Sequence, residues 1–178
     1  PPIPTVTSTT GQVWMDRNLG ASQVATSKTD AAAYGDLYQW GRNSDGHQLR
    51  TSSVTAGSVA SGSEGANFVR NSSFPYDWLT TQDNTRWGAV KTANDPCPSG
   101  FRIPTEPEFN AELTAYSINS LTDAYASVLK LTAAGYRNGT FSNGVIYDVG
   151  TEGYYWTSTI DGNYSHFLII SNNPGFSN

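Results

Sequence analysis

Two short stretches of this chain gather the oxygen atoms that a hard divalent cation prefers. Asn43-Ser44-Asp45-Gly46 and Asp161-Gly162-Asn163 each place carboxylate and amide oxygens around a glycine turn. Calcium takes about six to eight oxygens, many from Asp, Asn and backbone carbonyls at such turns. Asn43, Asp45, Asp161 and Asn163 are therefore the expected metal ligands. Asn94, Asp95, Asp148 and Glu152 fall near expected loop ends and could add oxygens. The plain alternative for each stretch is an ordinary solvated turn, since no full EF-hand pattern is present.

Beside these turns stand Arg42, His47, Tyr155, Ser158 and Tyr164, the expected ligand contacts. A guanidinium such as Arg42 or Arg137 fits a ligand carboxylate in a forked pair, although a surface ion pair would use the same chemistry. Tyr155 and Tyr164 flank the Asp161 turn and offer rings to a pocket. Tyr38, Trp40, Trp87 and Trp156 could join them, but most of these rings are expected in the core, with Trp14, Trp40 and Trp156 foremost.

Covalent chemistry has little to work with. Cys97, the single cysteine, lies between Pro96 and Pro98. A catalytic thiol needs a lowered pKa and usually a histidine, but His47 and His166 are both distant in sequence. The Cys and His supply is too thin for zinc. No nucleophile elbow, zinc-protease helix or phosphate loop is present. A non-catalytic protein is expected.

Bulk properties agree with a binding role. A chain of 178 residues suits one domain. Charged residues make up 14% against a usual ~25%, so Gly, Ser, Thr, Asn and aromatics dominate and loops should be abundant. A net charge of −5, with ten basic residues scattered along the chain, excludes a nucleic-acid stripe. No apolar run reaches the ~18 residues of a membrane span. Pro1-Pro2-Ile3-Pro4-Thr5 reads as linker composition, so residues 1–10 are expected to be a linker remnant and 11–178 one ligand-binding domain. One cysteine cannot form an internal disulfide, which leaves calcium to tie down loops if the protein is secreted.

The elements that must position these residues are mixed. Val13 and Met15 alternate with Trp14 and Asp16 in a strand pattern over 12–19. A short helix is expected within 31–40 and a long polar loop over 44–65. Thr105-Glu106-Pro107-Glu108 is a capping box, and Phe109, Leu113 and Tyr116 follow at helical spacing. A second helix is expected near 121–125. Beyond it the pattern turns to strand, with Asn143-Gly144 and Asp161-Gly162 as hairpin turns and 166–170 as a last apolar strand. This order describes an α+β domain with antiparallel pairing.

Four blocks in order resemble a known family. They are Gly11-Gln12-Val13-Trp14-Met15-Asp16-Arg17-Asn18-Leu19, Tyr34-Gly35-Asp36-Leu37-Tyr38-Gln39-Trp40-Gly41, Asp95-Pro96-Cys97-Pro98-Ser99-Gly100-Phe101-Arg102-Ile103-Pro104-Thr105, and Gly153-Tyr154-Tyr155-Trp156-Thr157-Ser158-Thr159. Together they are similar to the Fibrobacter succinogenes major paralogous domain, over about residues 11–170. The resemblance implies a C-type lectin-like fold: an irregular, loop-rich antiparallel sheet with one or two helices. The first half looks most like the calcium-dependent peptide-binding modules of bacterial RTX adhesins. That resemblance implies a Ca2+ cofactor, peptide or protein C-terminal segments as partners, and a monomeric module in a long chain at the bacterial cell surface. It also implies a role in attachment and biofilm formation. Glycans are the alternative ligand. Sugar-binding C-type lectins usually carry Glu-Pro-Asn or Gln-Pro-Asp beside Trp-Asn-Asp, and none of these occurs here. Glu106-Pro107-Glu108 is close in letters but opens the capped helix.

Overall fold

Thr105 starts the longer helix as its sequence dictates. In the computed structural model, which describes residues 2–178, α1 runs Glu106–Ala115 and both halves of the capping box are made. The Thr105 hydroxyl accepts from the Glu108 N–H, and the Glu108 carboxylate accepts from the Thr105 N–H at 2.7 Å. Ser120 caps α2 (Leu121–Ala126) in the same manner, accepting from the Asp123 N–H. Phe109, Leu121 and Ala124 point from the two helices into one apolar core with Leu129 and Leu131. The sheet supplies Leu168 and Ile170, both fully buried.

The strands form several small sheets. β1 (Thr5–Thr7) pairs antiparallel with β2 (Val13–Met15). β3 (Val54–Ala56) and β4 (Phe68–Arg70) pair in parallel. β5 (Tyr136–Arg137) and β6 (Ile146–Tyr147) pair antiparallel. β7 (Gly153–Asp161), β8 (Tyr164–Ile170) and β9 (Gly175–Ser177) make a three-stranded sheet, in that order. The class is α+β and loop-rich, as expected. The expectation of a single antiparallel sheet is corrected, because Gly-, Ser- and Asn-rich segments break the strands before pairing can spread. The parallel β3–β4 pair was not foreseen. Thr140 and Phe141 belong to the loop between β5 and β6, so Asn143-Gly144 turns a wider connection than a two-residue hairpin.

The folded unit begins before residue 11, which corrects the linker boundary. Thr5–Thr7 is a strand, and Ser8 is buried. Buried Glu112 on α1 holds this hairpin: its Oε1 accepts from the Ser8 and Thr10 hydroxyls, each at 2.7 Å, and from the Trp14 indole N–H at 3.1 Å. Pro1 lies outside the described residues. No described helix is long and apolar enough to cross a membrane.

Side chains organise the loops between these elements. Indole N–H groups donate to carbonyls far away in sequence: Trp40 to Thr157, Trp156 to Tyr38, and Trp78 to Trp40. The Gln39 amide lies along the free edge of β4. It accepts from the Val69 N–H at 2.9 Å and donates to the Val69 carbonyl at 2.8 Å. Gly135 brings β5 against its neighbours: with φ +72°, it sits where a Cβ would meet the Tyr147 carbonyl oxygen at 2.2 Å.

Candidate ligand-binding cleft

Alternation along β7 and β8 gives their sheet two faces. Tyr155 and Leu168, cross-strand partners, pack toward the helices. Trp156 pairs with Phe167, and Tyr154 lies on that same opposite face. The rings there form a row: Tyr136 to Tyr154 at 4.6 Å between centroids, Tyr154 to Phe167 at 5.9 Å, and Phe167 to Trp156 at 5.4 Å. They line part of a cavity of about 840 Å³ that also reaches Trp14, Phe109 and Tyr155 on the helix side. That size fits a small ligand or a short segment of polymer. Its walls come from the 37–40 turn and the 75–79 loop, through Tyr38, Trp40, Tyr76 and Trp78.

Two rims border the cleft. One is the β7–β8 turn, where Gln82 donates to the Asn163 carbonyl at 2.5 Å and Asn84 to the Gly162 carbonyl at 3.0 Å. Tyr164 is 59% exposed there. The other rim carries Phe74, Tyr76 and Phe141, which are 80%, 46% and 73% exposed. Tyr76 meets Phe74 and Phe141 edge-on at 6.0 and 5.6 Å. Tyr76 also holds φ +66°, a left-handed conformation unfavourable for an aromatic residue. Asn138 supports this rim by accepting from the Thr140, Phe141 and Ser142 N–H groups. Phe74, Tyr76 and Phe141 were missed in the sequence reading. The available signal was a large apolar ring set among Ser, Asn and Thr, in Ser73-Phe74-Pro75-Tyr76 and Thr140-Phe141-Ser142.

Most of the expected ligand contacts are internal. Arg42 and His47 are fully buried. Arg42 donates to Asp45 Oδ2 at 2.6 Å, to Gln39 Oε1 at 2.8 Å and to the Gly65 carbonyl at 3.1 Å. The His47 ring bridges two groups. Its Nε2 accepts from the Gln39 N–H at 3.0 Å, so Nδ1 carries the proton and donates to Asp45 Oδ1 at 2.6 Å. Burial, reinforced by the Arg42 charge, depresses the His47 pKa to about 4. Ser158 is buried and donates to the Pro104 carbonyl. The Tyr155 hydroxyl donates to the Thr132 carbonyl at 2.8 Å and accepts from the Thr132 N–H at 2.7 Å. These four residues are corrected from ligand contacts to structural links, because their polar atoms are already paired. Arg137 is likewise bound to Ser52 and to the Gly144 carbonyl. Of the expected contacts, Tyr155 and Tyr164 line the cavity, Tyr155 with its hydroxyl already paired and Tyr164 at the exposed rim.

The expected calcium ligands do not converge. Asn43 and Asp45 line a separate polar cavity with Glu64 and Arg86, whereas Asn163 lines the aromatic cleft. Both Asp45 oxygens are engaged by Arg42 and His47. Burial works against the Asp45 carboxylate, but bonds from the His47 N–H, Arg42 and the His47 ring hold its pKa below the usual value. Asn43 Oδ1 accepts from the Ser44 N–H. Asp161 and Asn163 are exposed, but two side chains fall well short of a calcium shell. Among the described residues, no group of three or more His, Cys, Asp or Glu gathers as a metal cluster. The four residues therefore do not fit calcium as one site.

Cys97 is held as a thiol. Burial, with Asp95 beside it, pushes its pKa up to about 12. His166 donates through Nδ1 to the Glu106 carboxylate at 2.6 Å. No family model, curated protein or solved structure matches this chain.

Proposed function

We propose that this chain is a non-catalytic peptide-binding module of C-type lectin-like fold, part of a large bacterial adhesin acting at the cell surface. The observation that carries this reading is the aromatic cleft, with its row of rings and two structured rims. Rings provide large apolar contact area at low entropic cost, and neutral polar groups at the rims provide direction. A peptide segment lies over Tyr154, Phe167 and Trp156, with its backbone meeting the hydroxyl of Tyr164 and the amide of Asn163. The protonated Cys97 and the internally bonded His47 support a binding role ahead of catalysis. The four-block resemblance supports the adhesin context. Calcium dependence rests on that resemblance, and no step of recognition is assigned to a metal here.

A peptide array probed with the intact chain tests this reading, with and without EDTA. The expected result is saturable binding that Tyr164→Ala weakens about threefold or more, roughly the effect of one aromatic contact. A folded protein that binds no peptide ends the proposal, and binding unchanged by EDTA ends its calcium part. Glycan binding is the second reading. It is favoured by the three exposed rings Phe74, Tyr76 and Phe141, since sugar faces pack on aromatic surfaces. Strong glycan-array hits without peptide hits would reverse the order.

A further inference from the structure

The charges around the cleft are unevenly paired. Four arginines line it, and three of them have carboxylate partners: Arg17 with Asp16, Arg86 with Glu64, and Arg102 with Glu108. The fourth, Arg137, spends its N–H groups on Ser52 and on the Leu49 and Gly144 carbonyls, and its guanidinium lies 4.4 Å from the centroid of the Phe68 ring. None of these four presents a free fork to a ligand.

The carboxylates differ. Asp36, Asp77 and Asp83 line the same cleft, and no ion pair engages them among the described residues. Among the described residues no donor reaches the Asp36 carboxylate; Arg50 acts on it only through space. Asp77 uses Oδ1 to accept from the Leu79 N–H, and Asp83 uses Oδ1 to accept from Thr85. Burial raises the pKa of both Asp36 and Asp77, outweighing the through-space pull of Arg50 on Asp36 and the backbone N–H groups and Arg86 on Asp77, so neither carboxylate is fully compensated.

We infer that the peptide held in this cleft is cationic, presenting lysine or arginine side chains to Asp36, Asp77 and Asp83 and to the aromatic walls. This rests on the reading of the cleft as a peptide site and specifies its ligand. Two physical effects act together. Unpaired carboxylates attract an ammonium or guanidinium group, and Tyr and Trp faces stabilise the same cation through their ring quadrupoles. A ligand carboxylate finds no free partner and meets like charge, so the peptide is held along its side chains and not by its C-terminal end. The carboxylates do not converge as a metal cluster, which suits a cation distributed along a chain better than one ion.

The test uses the intact chain and one set of peptides made in three forms, with lysine, acetyl-lysine or glutamate at the same positions. Affinity is measured at low and high NaCl. Lysine forms are expected to bind about tenfold more tightly than acetyl-lysine forms, and salt should erode that difference. Asp36→Asn and Asp77→Asn should each weaken lysine peptides about threefold and narrow the gap between lysine and acetyl-lysine forms. Because the acetylated ligand needs no protein variant, misfolding of either variant cannot mask the outcome. Equal or tighter binding of acetyl-lysine or glutamate forms overturns this inference alone. Displacement of lysine peptides by calcium chloride at concentrations where NaCl of equal ionic strength has no effect assigns the charge to a metal ion and also overturns it. Absence of binding to every peptide defeats the reading of the cleft itself.

Discussion

The two halves of the molecule are held together by different forces. The half built from α1, α2 and the β7–β8–β9 sheet closes over one apolar cluster, with Phe109, Leu121, Leu131, Leu168 and Ile170 inside. The half spanning residues 31–95 has only a small apolar cluster, Val69, Trp78 and Leu79. In their place it buries Arg42, His47 and Arg86. Both arginines lie over the Trp78 ring, at 5.0 and 5.1 Å from its centroid. A loop has no repeating ladder to satisfy its backbone, so buried side chains take over that task. The cleft lies where these two constructions meet: its floor comes from the sheet and its walls from the loops.

The sharpest way to break this comparison is to remove one charge from the loop half. Arg42→Leu leaves Asp45 and Gln39 without their main donor and should cost about 4 kcal/mol in denaturant unfolding. An unchanged midpoint would show that the polar network carries no stability. Leu168→Ala in the apolar half should cost about 3 kcal/mol, through lost burial and the cavity left behind. Because Arg42 is fully buried, the cost of either deletion should change little with salt.

Acid should discriminate between the halves as well. His47 titrates near 4 when folded and near 6.5 when unfolded, so the unfolded chain binds the extra proton between those values. Stability should therefore fall as pH drops from about 6.5 toward 4, by about 3 kcal/mol in total, and His47→Gln should flatten that slope. A wild-type stability that stays level over this range would contradict the buried neutral imidazole. The smallest effect belongs to the helix start: Thr105→Ala should cost about 1 kcal/mol by thermal unfolding, from loss of the cap.

Legibility in the sequence followed the same division. Capping boxes and strand alternation are short-range codes, so α1, α2 and the β7–β8 hairpin could be read from adjacent residues. Asn43-Ser44-Asp45-Gly46 was ambiguous because a buried ionic turn and a cation loop use the same residue types. What decides between them is Arg42 and His47 turning inward onto Asp45, and that depends on Gln39 and Val69 30 residues apart. The cleft was partly legible through Tyr164, whereas Trp156 was expected in the core. The second rim of the cleft was not legible, because Tyr76 and Phe141 are 65 residues apart and are joined only by the fold.

Gln39 also has a consequence for the protein in a crowded setting. β4 bonds to β3 through Phe68 and Arg70, with the Phe68 N–H donating to the Ser53 carbonyl and the Gly57 N–H to the Arg70 carbonyl, so the polar groups of Val69 project from the other side. A strand margin left bare invites a neighbouring chain to add itself and seed aggregates. By imitating a peptide unit, one glutamine occupies that margin and leaves no bare edge there for a second strand.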